Sequence, residues 1–300
     1  MPAYISHVIM GEEVYKKAVN DSLLFKTEVD FESYKTYTMG ADLANFSKRA
    51  QVDSHNKKTR LFFLTFCKYI KEHHLEENSR VIACLYGHIA HYYLDVNVHP
   101  LIYYLEYGSK QIGILPNHHL IEGYLSSYLV KKIIHDDIMN FKVNRYNGAN
   151  LNEKTISNML NDIYNTVYKD NHIIKSYQKV IDLINLLEKT YKEFFHSKKF
   201  VLDFSQFQQF IDANNLTKTD ILNENHNTWT NPVTGKKEHN SFLELYQKSI
   251  NMTLDAIYEV NNYLYNNKPL NTLKKTFTDL SYDTGVKCFL GKKLIYVKKR

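Results

Sequence analysis

The chain has 300 residues, 44% of them apolar and 23% charged. This is ordinary globular usage and excludes wholesale disorder, collagen-like repeats and a multi-span membrane protein. Lysine and arginine exceed aspartate and glutamate by 38 to 32, and the positive residues are dispersed apart from short clusters such as Lys198-Lys199 and Lys298-Lys299-Arg300, so nucleic-acid binding is permitted but weakly supported.

Five prolines and ten glycines leave few obligatory breaks, which predicts an all-α fold in one helical domain over residues 1–300. The opening Met1 to Lys17 has no basic segment followed by an apolar run, and no stretch of 18 apolar residues follows later, so neither export nor membrane insertion is expected. Met1-Pro2 predicts loss of the initiator methionine, leaving Pro2 with a free α-amino group. Apolar residues at three-to-four spacing predict a helix between Asn56 and His74, and another begins with Val81, Cys84, Leu85 and Ile89. A further helical stretch runs from Pro116 to about Phe141. A long amphipathic one follows from Thr155 to about Phe195, interrupted near Lys169 to His172. Residues 223–240, with Asn231-Pro232 and Thr234-Gly235, read as a loop before a helix from Ser241 to about Tyr265. The end, Gly285 to Val297, alternates as a short hairpin would. Three cysteines, Cys67, Cys84 and Cys288, show no C-x-x-C spacing, which argues against a disulfide framework and fits a reducing, cytoplasmic setting.

Histidines crowd in Gly87-His-Ile-Ala-His-Tyr-Tyr-Leu-Asp-Val-Asn-Val-His-Pro100. On an α-helix, His88, His91, Asp95 and His99 fall within a wedge of about 80° on one face. From His91 to His99 that strip runs about 12 Å, too long for one tetrahedral ion but suited to two or three ions sharing a bridging Asp95. Apolar residues fill the other faces, so the helix is expected to be buried, and unpaired polar groups there would each cost several kcal/mol. The alternative is a self-satisfied network of histidines and one aspartate. His118 and Glu122 stand side by side at i and i+4 on the next helix. Upstream, Asp42 follows a glycine where the backbone can turn, and His55 is expected at a helix start. Tyr92, Tyr93, Tyr103, Tyr104 and Tyr107 are expected to pack the core and rim, with a substrate-pocket role as the alternative, and Trp229 and His226 could either cover a cleft or pack their own loop.

The order His7, Asp42, His55, His91-x-x-x-Asp95-x-x-x-His99, His118-x-x-x-Glu122 resembles the zinc-dependent phospholipase C family, which shares its fold with single-strand-specific nucleases of the P1 type. The motifs lie in residues 1–130. The opening Met1-Pro-Ala-Tyr-Ile-Ser-His7 and Trp229-Thr-Asn-Pro-Val-Thr-Gly235 most resemble a bacterial branch without a secretion signal. The resemblance implies one zinc held by Asp42, His55 and His91, and a second by His99, His118 and Glu122. It implies a third on His7 with the Pro2 amine and carbonyl, and Asp95 bridging. The implied activity is metal-dependent phosphoester hydrolysis by an activated hydroxide, with Asp42 orienting or deprotonating the water. His88, one turn away, is expected to hydrogen-bond a ligand or the phosphate, or else to pack in the core. The implied substrate is a phosphodiester, a phospholipid by family type, with a nucleotide or single-stranded nucleic acid as the alternative. A non-catalytic helical metal-binding protein is the competing reading from another class, and an interaction module using the basic C-terminal end is a third.

Overall fold

A computed structural model describes residues 3–47, 49–107, 109–110, 117–136, 146–195 and 208–291. Pro2 lies outside them, as do residues 292–297 of the expected C-terminal hairpin. The chain is predominantly helical, as its scarcity of breaks predicts, and one apolar cluster runs from Ile5 to Tyr282. In chain order the first helices are α1 (Ala3–Val19), α2 (Phe31–Tyr37), α3 (Ala50–Asn56), α4 (Thr59–Glu72) and α5 (Ser79–Glu106). They are followed by α6 (Asn117–Leu129), α7 (Lys154–Tyr168) and α8 (Ile173–Phe195). A last long helix spans Phe242–Leu264.

The organising element is α5. Asn78 caps it by accepting from the amides of Arg80 and Val81, which satisfies two of the otherwise unpaired donors of the first turn. Its residues are buried on every face from Val81 to Val98, because α1, α2, α6, the helix Phe242–Leu264 and the short 3-10 turn Gly40–Ala44 all pack around it. Pro100 lies inside α5; lacking an N–H, it leaves the Val96 carbonyl without its usual i+4 donor. The loop that carries Gly285 approaches that carbonyl.

The break expected near Lys169 falls there: α7 ends with Lys169 in the left-handed region at φ 59°, and α8 begins at Ile173. After α6 the chain continues as one π turn, Val130–Ile134, short of the Phe141 limit, and residues 137–145 lie outside the description. Within the expected loop 223–240, Trp229–Thr230 and Lys237–Glu238 pair as a minimal antiparallel hairpin. Ser241 then caps the last long helix in a capping box with Glu244. Of the expected C-terminal hairpin the described part holds an isolated bridge, Leu280 to Lys287, and a 3-10 turn at Cys288–Leu290. Among the described residues, no helix is long and apolar enough to cross a membrane.

Candidate metal centre

Five segments bring eight side chains together, seven of them lining one cleft of about 610 Å³ and the eighth, His91, buried beside Asp95. His7 comes from α1, Asp42 from the Gly40–Ala44 turn and His55 from α3. His91, Asp95 and His99 come from consecutive turns of α5, and His118 and Glu122 from α6. Gly40 lets Asp42 approach: its φ is +44°, and a Cβ there would fall 2.5 Å from the His91 ring. A side chain at this position would meet both backbone strain and a clash.

Asp95 is the hub. Its Oδ1 lies 3.2 Å from His7 Nε2 and 3.8 Å from His99 Nε2, and its Oδ2 lies 3.1 Å from His91 Nε2. On one side, His55 Nε2 sits 3.2 Å from Asp42 Oδ1. On the other, Glu122 Oε1 sits 3.2 Å from His118 Nε2 and 3.5 Å from His99 Nε2. Three donor sets each gather within 4.8 Å: His7, Asp42 and His91; His55, His91 and Asp95; and His99, His118 and Glu122.

The hydrogen bonds fix which nitrogen faces the cleft. The Nδ1–H of His91 donates to the Thr38 carbonyl (3.1 Å), that of His55 to the Gln51 carbonyl (3.2 Å) and that of His99 to the Tyr282 carbonyl (2.9 Å). His118 Nδ1–H donates to Glu106 Oε2 at 2.9 Å. Carbonyl and carboxylate oxygens only accept, so each Nδ1 carries a hydrogen and each ring, once neutral, would offer Nε2 to an ion. That tautomer is the one metal-binding histidines take when their other nitrogen is tied down.

A direct test of fit is His91. Its Nε2 is fully buried and makes no hydrogen bond, although a carboxylate oxygen lies 3.1 Å away, so the angle rather than the distance fails. An orphaned buried acceptor costs free energy, and an ion between the ring and Asp95 would satisfy both. Nitrogen and carboxylate donors in threes suit Zn²⁺, so the residues fit the ion.

Without a metal the charged forms of His99 and His118 are favoured, but not that of His91. Burial opposes the charge on His99, but Asp95 and Glu122 outweigh it and raise its pKa to about 10. His118 is raised to about 9, burial being overcome by hydrogen bonds to Glu106 and Glu122. Against burial, Asp95 is held well below the ordinary carboxylate range by His99, His91 and His7, and Glu122 by His118, His119 and His99. Asp42 is lowered to about 2, where the His55 hydrogen bond and the nearby His91 overcome burial. His91 goes the other way, lowered chiefly by burial, which favours the bare nitrogen that a metal needs.

No family model, curated protein or solved structure matches the chain. The assignment of the site therefore stands on its own geometry.

His118 and Glu122 stand together as their spacing implied, and His99 joins them as the resemblance implied. Asp42, His55 and His91 are also together, but as two sets overlapping at His91, and His7 joins them beside Asp95 instead of standing apart. Two expectations require correction. His55 ends α3 instead of starting a helix. His88 is not in the cleft: its Nδ1 donates to the Cys84 carbonyl at 2.8 Å and its Nε2 accepts from the Tyr177 hydroxyl at 2.9 Å, among Tyr37, Phe62 and Phe66. It lies seven residues before Asp95, about 10 Å along the helix axis, and burial lowers its pKa to about 4. It is a packed, neutral core histidine.

Of the tyrosines, Tyr92 and Tyr93 are core residues, Tyr103 packs beside His99 and His118 and Tyr104 packs on Trp229. Trp229 donates to the Asn240 carbonyl and is buried in its own loop. The sequence reading missed Glu106 and Tyr282, whereas His119, the neighbour that left the register of the His118–Glu122 pair open, also reaches Glu122. Glu106 follows His99 by seven residues, two helical turns on the same face, and that signal was available. Tyr282 carries no local signal.

Proposed function

We propose that the protein is a zinc-dependent phosphoester hydrolase. The observation that carries this reading is the convergence of His55, His91, His99 and His118, each with Nδ1 tied to an acceptor and Nε2 turned toward the carboxylates Asp42, Asp95 and Glu122. Zinc ions bound there would supply Lewis acidity and an activated water at neutral pH. Asp42, partly open to the cleft and hydrogen-bonded to His55, is placed to accept a hydrogen bond from an attacking water. Asp95 holds the two halves of the site at a fixed separation, with contacts to His7, His91 and His99.

The charge of the cleft bears on substrate class. Among the described lining residues, Asp42, Asp95, Glu122 and Asp283 face a single ammonium, Lys57, which is itself paired with Asp53. Two or three divalent ions would balance those carboxylates and one phosphodiester, but few cations remain to track the successive phosphates of a polynucleotide. An isolated phosphodiester, such as that of a phospholipid, is therefore favoured over a nucleic-acid strand.

The experiment is elemental analysis of untagged protein before and after chelation, alongside hydrolysis of a chromogenic phosphodiester. Two or three zinc ions per chain with chelator-sensitive turnover are expected. Absence of metal uptake from added zinc would reduce the cluster to a buried polar network.

A further inference from the structure

The four histidines whose Nε2 lies beside a carboxylate of the site are not backed alike. His55, His91 and His99 each donate Nδ1–H to a neutral backbone carbonyl, whereas His118 donates to the carboxylate of Glu106. A carboxylate draws the ring hydrogen more strongly than an amide oxygen does, which raises the electron density at the far nitrogen and locks the ring plane. The carboxylate of the same set is braced as well. Glu122 Oε1 lies between His118 and His99, while its Oε2 accepts from His119 Nδ1 at 3.3 Å. His99, the third member, is fixed to the Tyr282 carbonyl. No member of the His99, His118 and Glu122 set is free to swing, whereas in the facing set His91 Nε2 is orphaned and His55, though paired with Asp42 at Nε2, is backed at Nδ1 by a longer bond to the Gln51 carbonyl (3.2 Å).

We infer that Glu106 is a positioning residue that makes the His99, His118 and Glu122 position the tighter metal site, filled before the position around His55 and His91. The inference rests on the metal reading above and adds an order of loading and a residue that sets it. Glu106 occupies the last residue of α5, where a carboxylate is disfavoured by the helix dipole. Its hydrogen bond to His118 compensates for that placement.

The test is a titration of the full-length, metal-free chain with Co²⁺, following the visible absorbance of the bound ion and fixing affinities by chelator competition. Wild type should show two classes of site, one tighter than the other, and His55→Ala should remove the weaker class alone. Glu106→Gln keeps the side-chain shape and an acceptor for His118 but removes the charge; it should weaken the tight class about 10–100-fold and leave the weaker one in place. Glu106→Asp, which restores the charge with a shorter reach, should recover part of the loss. An unchanged titration in Glu106→Gln would overturn the role of Glu106 while leaving the metal reading intact. Equal weakening of both classes would do the same, since it marks a general defect in folding. Failure of wild type to bind cobalt or zinc would remove both readings together.

Discussion

His99 and Tyr282, 183 residues apart in sequence, are joined by a 2.9 Å hydrogen bond from the imidazole Nδ1–H to the backbone carbonyl. The Tyr282 amide donates in turn to the His55 carbonyl at 2.8 Å, and its ring packs against His55 and His91. One residue near the end of the chain thus braces ligands on both sides of Asp95. The loop can lie so close to α5 because Gly285 sits over the Val96 carbonyl that Pro100 leaves without an amide partner.

Gly285→Ala should loosen that brace. The position has φ +65°, and an added Cβ would stand 2.5 Å from Val96 O, so the loop must lift or strain. The expected cost is about 1–3 kcal/mol, seen as a lower midpoint in urea unfolding of the metal-free protein. Zinc affinity at the His99 position should fall with it. A variant with unchanged stability and unchanged zinc affinity would show that Tyr282 contributes nothing to holding His99.

Asp95→Asn should lose more than one metal ion per chain, because the carboxylate contacts His7, His91 and His99 at once, and turnover should drop by orders of magnitude. An amide can still accept hydrogen bonds, so the fold should survive, with a far-ultraviolet spectrum like that of wild type. Equal metal content in the two proteins would defeat the bridging assignment.

His88→Ala should do the reverse. The ring fills a fully buried space, and its removal leaves a cavity and takes one hydrogen bond each from the Tyr177 hydroxyl, which keeps Tyr164, and from the Cys84 carbonyl; a loss of about 2–4 kcal/mol of stability is expected. Metal content should stay at the wild-type value. Loss of metal with stability intact would return His88 to the centre.

The α5 strip could be read from sequence because helical geometry is local: i, i+4 and i+8 place His91, Asp95 and His99 on one line wherever the helix sits. His118 and Glu122 were legible for the same reason. His88 misled because angular position on a wheel ignores axial position, and one turn of rise is enough to put a side chain into an aromatic core instead of a cleft. His55 was misplaced because its segment is a separate seven-residue helix ended at Lys57, and helices that short carry little periodicity. The carbonyl braces from Thr38, Gln51 and Tyr282 have no side-chain signature at all, since any residue supplies the same oxygen.

The last prediction concerns pH. In the metal-free protein His99 is raised from 6.5 to about 10 and His118 from 6.5 to about 9. Burial opposes both shifts, and the carboxylates Asp95, Glu122 and Glu106 produce them. A group whose folded pKa lies above its unfolded one stabilises the fold fully below the unfolded value, and that contribution disappears as pH rises through the folded value. The chelated protein should therefore lose thermal stability steadily between about pH 6.5 and 10. Asp42 behaves oppositely: held at about 2 against an ordinary 3.8, it stabilises above 3.8 and the contribution is lost as pH falls through 2. With zinc bound the alkaline trend should reverse, because the ion competes with the proton for Nε2 of His99 and His118 and gains as those protons leave. Melting curves from pH 6 to pH 10, with and without chelator, decide the matter. The metal-induced rise in melting temperature should widen as pH climbs, and a rise that is constant across the range would show that the ion does not take the nitrogens that the carboxylates now hold protonated.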